Sequence, residues 1–324
     1  MKKFLTIILS LMLMVFGLTA VVGCKDDGDI TIQIYCPDGA PALAISKMIY
    51  DDNQFDTKVD YTVVSASNIA NTILTKTADI AILPVNAASK ILGDNYKIVA
   101  TVTNGNLFVV GNKDISSLSD LSGEVIGVIG QGNVPDLNFR YLLSANSVDY
   151  ETSDTEVAGK VAIRYFADAS NLLPLLKQNH LDFGLLPEPA VSKLLSMASN
   201  FSVELDIQAI WEGGSYPQAV MVAKTSLIED NAELIEDIIN EMKYNEGWAK
   251  NNAGDAVAAI NSNLEEGAVP SLQPTISGAA IENCNIKVYS TKSEEEKARI
   301  KSYWEKIKTV NSSAIGNYTD NLFW

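Results

Sequence analysis

The chain has 324 residues, 40 of them acidic against 24 basic, for a formal charge of −16. That balance argues against nucleic acid, because polyanions are held by Lys and Arg clusters, and the three arginines, Arg140, Arg164 and Arg299, lie far apart. A single histidine, His180, and three dispersed cysteines leave no ligand cluster for zinc or a transition metal and no Ser/His/Asp or Cys/His constellation, so neither metal nor cofactor is expected.

Lys2 and Lys3 precede a nearly continuous apolar run over 4–22 that stops at Gly23-Cys24. A basic start leading into an apolar stretch is the grammar of an export signal. A run near 20 apolar residues could also stay in the bilayer as an uncleaved anchor. The end of the run favours cleavage: Val21-Val22-Gly23-Cys24 resembles a lipobox, in which small side chains give a peptidase access to the backbone before a lipidated cysteine. The polar segment 25–29 lies directly behind it. The reading is a lipoprotein signal peptide over 1–23, lipidation at Cys24, a tether over 24–29, and a chain anchored by lipid to the extracytoplasmic face of the cell membrane. Cys36 and Cys284 then remain where a disulfide is permitted, although Cys36 ends an apolar run and reads more simply as a small buried hydrophobe.

Short apolar runs alternate with stretches of helical period along the rest of the chain, the signature of βαβ units on a largely parallel sheet. Strands are predicted at 30–35, 59–64 and 80–83. Helices are predicted at 40–50 after the turn Pro37-Asp38-Gly39, at 68–74 capped by Ser67, and at 86–92. The grammar repeats with strands at 125–129, 161–166 and 183–186. Its helices fall at 135–144, with Pro135 in the first turn, at 172–178, and after Glu188-Pro189. Beyond them come a returning strand at 220–223 and amphipathic helices at 232–249 and 294–307; these last are expected to pack the first lobe.

Ala78-Asp79-Ile80-Ala81-Ile82-Leu83-Pro84 is echoed by Leu181-Asp182-Phe183-Gly184-Leu185-Leu186-Pro187. Each copy comes after a glycine-bearing strand-to-helix loop, 38–41 in one half and 130–133 in the other. Singly, such loops satisfy turn geometry. Their recurrence in both halves points to two facing lobes with a cleft, since ligands of open α/β sheets sit beyond the carboxyl ends of the strands.

The run Pro37-Asp38-Gly39-Ala40-Pro41-Ala42-Leu43-Ala44, then Thr77-Ala78-Asp79-Ile80-Ala81, the stretch 118–127, and Leu181-Asp182-Phe183-Gly184 before Pro187-Glu188-Pro189 together resemble the substrate-binding proteins of the nitrate, sulfonate and thiamine-precursor import systems, the SsuA-like family. The resemblance implies an α/β type II periplasmic-binding-protein fold: two βαβ lobes with a ligand cleft between them, lobe 1 over 30–110 and 214–324, lobe 2 over 111–213. It implies a monomer that captures a small-molecule solute by lobe closure and delivers it to an ABC permease and its ATPase. Candidate ligand contacts by loop position are Asp38, Gly39 and Ala40; Asn86; Thr103 and Asn104; Gln131, Gly132 and Asn133; Glu188; and the aromatics Trp211 and Tyr216, which suit a flat ligand. Simpler roles stand beside three of them: Asn86 as a helix cap, Asp38 as a turn residue, Glu188 as a first-turn carboxylate. No Lys or Arg lies in these loops. That tilts the ligand from sulfonate or nitrate toward an uncharged or weakly cationic heteroaromatic such as a thiamine-pyrimidine precursor. Two other readings remain, a lipoprotein sensor and a pyrimidine-synthase-like enzyme of the same fold, though the cysteine-rich motif of that enzyme is absent here and no catalytic residue is expected.

Overall fold

A computed structural model of the chain describes residues 31–52 and 54–324. The expected signal peptide, Cys24 and the tether lie outside them. Among the described residues no helix is long and apolar enough to cross a membrane.

Among the described residues twelve strands form, in chain order: β1 (Ile32–Pro37), β2 (Val59–Val64), β3 (Ile80–Pro84), β4 (Tyr96–Asn104), β5 (Leu107–Gly111), β6 (Val125–Ile129), β7 (Tyr150–Thr152), β8 (Val161–Phe166), β9 (Phe183–Pro187), β10 (Ser202–Asp206), β11 (Pro217–Lys224) and β12 (Ile286–Ser290). They make two six-stranded sheets, ordered β12-β4-β11-β3-β1-β2 and β10-β5-β9-β6-β8-β7. In the first, β1 runs parallel to β2 and β3, while β11 lies antiparallel between β3 and β4. In the second, β6 runs parallel to β8 and β9, while β5 lies antiparallel between β9 and β10. The series β2-β1-β3-β11-β4 and β8-β6-β9-β5-β10 are thus the same arrangement built twice. The echoed segments are β3 and β9, which occupy the same place in the two sheets.

In each sheet the antiparallel strand comes from chain that has just crossed from the other lobe. β4 ends at Asn104 and β5 begins at Leu107, so the first crossing is at Gly105-Asn106. β5 therefore belongs to the second sheet, earlier than a boundary at 110/111 allows. The return runs over 207–216 and includes the short helix Ile207–Ile210.

Packing explains the departures from the periodic pattern. Gly127 and Gly184 are register partners on β6 and β9. A Cβ on Gly127 would stand 2.4 Å from Leu172 Cδ1, and one on Gly184 2.8 Å from Leu176 Cδ1, so the paired glycines make the slot that seats helix Ala169–Lys177. That helix starts earlier than expected because Asp168 accepts the Ser170 and Asn171 N–H groups. The helix expected over 40–50 is broken into Ala40–Leu43 and Ser46–Asp51. Asn245 of the helix Ala232–Asn251 fills the break: its amide donates to Leu43 O, and its oxygen accepts the Lys47 N–H at 2.6 Å and the Ser46 hydroxyl at 3.3 Å. Ser67 does not cap the next helix. Helix Ile69–Leu74 has no side-chain cap, Ser67 Oγ lies 3.1 Å from Ser65 Oγ, and Asn68 Nδ2 is drawn to Glu265.

One apolar cluster runs from lobe 1 into lobe 2 through Leu107, Ile207, Trp211 and Tyr216, and the outer face of each lobe has a separate core. The helix Glu294–Lys308 does more than pack lobe 1. Trp304, fully buried, donates from Nε1 to Val85 O in lobe 1, while the neighbouring Tyr303 hydroxyl donates to Asn138 Oδ1 in lobe 2 at 2.9 Å.

Candidate functional site

The parallel strands of each sheet point their carboxyl ends toward the other lobe, which places strand-to-helix loops of both lobes around one cleft. After β1, Gly39 takes φ 106°, open to glycine and strained for other residues, and Ala40 begins the next helix, buried. Asp38 Oδ2 accepts the Ser271 N–H at 2.6 Å; its Oδ1 is buried without a hydrogen-bond partner. After β3, Asn86 is 3 % exposed and is not a cap, since it stands inside helix Val85–Ile91. Its Nδ2 instead reaches across the cleft to Gly132 O at 3.4 Å, and its Oδ1 has no partner. Thr103, wholly buried on β4, has an unpartnered hydroxyl. Asn104 serves structure: its amide donates to Lys287 O, and its oxygen accepts Arg299 Nη2 at 2.8 Å.

In lobe 2, Gly130 and Gly132 have positive φ, and Gln131 and Asn133 are exposed at the loop tip. Asp136, wholly buried near the start of the next helix, anchors that loop. Its carboxylate accepts the Gly132 N–H at 2.8 Å, the Tyr165 hydroxyl at 2.7 Å and both Nε and Nη2 of Arg140. Arg140 is therefore a half-buried ion-pair partner; Arg164, paired with Asp154, lies nearer the surface. After β9, Glu188 is 3 % exposed and accepts the Ser192 N–H and hydroxyl at 3.0 and 2.9 Å. Glu188 stands before Pro189, which caps the helix Ala190–Met197, so it is not the first-turn carboxylate expected from sequence; it reaches forward from outside the helix to Ser192. Burial nevertheless pushes its carboxyl above the usual range, against the hydrogen bonds from Ser192 that pull it down.

Trp211 and Tyr216 come together, but on each other. Trp211 is 4 % exposed and Tyr216 fully buried, with ring centroids 4.9 Å apart. Tyr141 of lobe 2 and Tyr303 of the C-terminal helix complete the cluster, 4.8 and 5.7 Å from Trp211. Burial raises the Tyr216 phenol far above its usual range, so it stays a donor, to Gln208 Oε1 at 3.0 Å. Gln208 in turn accepts the Leu107 N–H at 2.7 Å and donates to Leu107 O at 2.9 Å, pairing the first residue of β5 as a neighbouring strand would. These aromatics form the wall of the hinge.

Sequence reasoning passed over Asn106, Gln208, Asp136, Ser271 and Tyr303. Asn106 is 1 % exposed; its Nδ2 donates to Glu188 O at 3.3 Å, its backbone O accepts the Glu188 N–H at 3.0 Å, and its Oδ1 has no partner. The unpartnered atoms of Asp38, Asn86, Thr103 and Asn106 stand at strand ends and at the first crossing. Each such atom costs about 1–3 kcal/mol when nothing bonds it, and those of Asn86 and Asn106 stand at contacts between the lobes, where a polar ligand would bond them. A groove of about 190 Å³ lies between Pro189, Ser192 and Lys193 of lobe 2 and Ser271, Gln273 and Ser277 of lobe 1; Asp38 bonds Ser271 and Glu188 bonds Ser192.

The crossing itself is tightly packed. A Cβ on Gly105 would lie 2.6 Å from Gln208 Cγ and 2.7 Å from Tyr216 Cε1. Gly105→Ala is expected to lower stability by about 1–3 kcal/mol, the range for overpacking, and to detach Gln208 from Leu107. A chemical-denaturation midpoint, with amide exchange at Leu107, checks both.

No family model and no curated protein matches the sequence. Solved structures do match. An ABC transporter from Parabacteroides distasonis has a TM-score of 0.73 at 20% identity, covering 91% of this chain and 99% of that one. The chain has the type II periplasmic-binding-protein fold. The periplasmic aliphatic sulphonate binding protein SsuA of Escherichia coli is similar at 0.65 and 11% identity, covering 91% and 92%. A zinc-bound ligand-binding component of an ABC-type import system from Staphylococcus aureus is similar at 0.62 and 12%, covering 91% and 96%. Among the described residues of this chain no group of three or more His, Cys, Asp or Glu is placed to hold a metal ion, and Cys36 and Cys284 are buried free thiols.

Proposed function

We propose that the chain is the extracytoplasmic solute-binding component of an ABC importer. It acts as a monomeric lipoprotein held at the membrane through Cys24 and passes a small organic solute to a permease. The observation that carries this reading is the fold shared with importer binding proteins, with the orphaned polar atoms of Asn86 and Asn106 at contacts between its two lobes.

Gly105-Asn106 and 207–216 act as the two strands of a hinge, and closure brings loops of both lobes onto the solute. A solute shifts the lobes toward closure by no more than its difference in affinity for the two states, so contacts from both sides are required. No covalent bond is made or broken; the permease and its ATPase perform the transport. A thiamine-pyrimidine-like heteroaromatic is favoured over sulfonate or nitrate. The two arginines nearest the cleft are already engaged by carboxylates, Arg140 by Asp136 and Arg299 by Glu296. Residues 25–324, stripped of carried-over ligand by partial unfolding, are to be screened by thermal shift against pyrimidines, flavins, sulfonates, nitrate and amino acids. A solute at a hundred times its dissociation constant adds about 2.7 kcal/mol, enough to raise the melting temperature by several degrees. A pyrimidine hit is the expected result; a flat response to the whole panel overturns the reading.

A further inference from the structure

We infer that the cleft selects a cationic, N–H-donating solute, an ammonium or a planar amidinium-like group, held between Asp38 of lobe 1 and Glu188 of lobe 2 with Asn106 at the back. The inference rests on the solute-binding reading and assigns the charge that this site takes.

Asp38 and Glu188 each bond a serine that lines one groove between the lobes, Asp38 bonding Ser271 and Glu188 bonding Ser192. Neither carboxylate takes part in an ion pair among the described residues, in contrast to Asp136 and Glu296, each of which has its arginine. Glu188 accepts two hydrogen bonds from Ser192, whose groups carry no charge. A buried carboxylate satisfied by neutral donors keeps its need for a counter-charge.

The second observation is independent of these acids. Asn106 is 1 % exposed and its amide orientation is fixed, because Nδ2 donates to the Glu188 carbonyl; that leaves an acceptor, Oδ1, unpartnered beside Glu188. Asn86 is fixed in the same way by Gly132 O and also leaves Oδ1 unpartnered. With Asp38 Oδ1 these make three orphaned acceptors, beside the Thr103 hydroxyl, which donates or accepts, and Asn138 Nδ2, a donor at the Tyr303 contact between the lobes. A sulfonate or nitrate brings only acceptors and satisfies none of those three, whereas an amine or amidine brings donors to each.

One cation lines the groove, Lys193, on the helix that Glu188 precedes, and it pairs with neither carboxylate. The other titratable neighbour of Glu188 is the buried Cys284, whose thiol is pushed up by burial and by Glu188 itself, so it stays neutral.

The test uses two isosteric charge series: benzamidine, benzamide and benzoate; and an aminopyrimidine carrying an aminomethyl, a hydroxymethyl or a carboxyl arm. Each is titrated calorimetrically into wild-type protein and into Asp38→Asn, Glu188→Gln and Lys193→Ala. The expected result is that the cationic member of a series binds best and loses at least about tenfold in affinity in Asp38→Asn and Glu188→Gln, with Lys193→Ala unaffected. A second readout needs no ligand. Glu188 has a raised carboxyl pKa in the folded state, so its ionisation opposes folding as pH rises past the usual carboxylate value of 4.5. Glu188→Gln is therefore expected to melt higher than wild type at pH 7 and level with it below the carboxylate range. An anionic member binding best, with the loss falling on Lys193→Ala, overturns the charge assignment and leaves solute binding standing. Silence across both series, with Glu188→Gln no more stable than wild type, counts against the solute-binding reading and takes this inference with it.

Discussion

Trp211→Ala is expected to lower the stability of the protein by about 3–5 kcal/mol, a fall in melting temperature on the order of 10 °C. Trp211 is 4 % exposed and wedged between Tyr141, Tyr216 and Tyr303, so truncation removes a large ring where the apolar core passes from one lobe to the other. Alanine cannot fill that space without moving both crossings. Trp304→Ala is the control. Trp304 is equally buried, bonded to Val85 O and packed on Tyr318 and Phe323, all within lobe 1, so a similar loss of stability is expected without an effect on closure. Differential scanning calorimetry reads the two losses. Small-angle scattering with and without ligand separates them, since only Trp211→Ala should change the distance between the lobes.

Asp136→Ala is expected to cost about 3 kcal/mol, near the lower end for breaking a buried ion pair, because the Arg140 side chain is 18% exposed and can turn toward water. The local consequence is larger than the stability loss. The same carboxylate holds the Gly132 N–H, which positions the carbonyl that Asn86 meets from the opposite lobe. It also holds Tyr165, whose phenol is pushed above its usual range by burial and then by Asp136, and so remains a donor. Removal frees the 130–133 loop and is expected to weaken ligand binding more than the charge-preserving Asp136→Glu. Asp136→Asn, which keeps an acceptor for Gly132 but loses the charge facing Arg140, should fall between them. Denaturation midpoints and calorimetric affinities for the three variants give the order.

Much of the α/β plan could be read from the chain. The apolar runs that became β2, β6 and β8 have the bounds their periodicity predicts, and the Leu-Pro echo marks the same strand of two like sheets. Local pattern sufficed there because all three runs are rich in β-branched and aromatic residues, from the buried centre of β6 to the half-exposed β2 and β8. It failed where one side chain answers to a distant residue. Nothing near position 45 announces that Asn245 will break a helix, and nothing near Ser67 announces that Glu265 will claim Asn68 instead of leaving a cap.

The site was legible by position more than by role. Loop residues at strand ends were singled out because ligands of open α/β sheets lie there; the structure puts Asp38, Asn86 and Glu188 just after β1, β3 and β9, and Thr103 within β4. Trp211 and Tyr216 were read as ligand-facing from their aromatic character and their place near the return; the structure packs them against Tyr141 and Tyr303, residues 70 or more positions away in the chain.

The sequence by itself determined the alternation of strands and helices, the duplication, the acidity and the glycines that admit tight turns, because each depends on residues close in the chain. Only the tertiary structure decided that Tyr96–Asn104 and Leu107–Gly111, two β-rich runs joined by Gly105-Asn106 in the manner of a hairpin, part company and enter different sheets. The physical reason is that pairing is a competition. β4 finds β11 and β12, β5 finds β9 and β10, and each partner is supplied by chain more than 70 residues away that no local pattern can weigh.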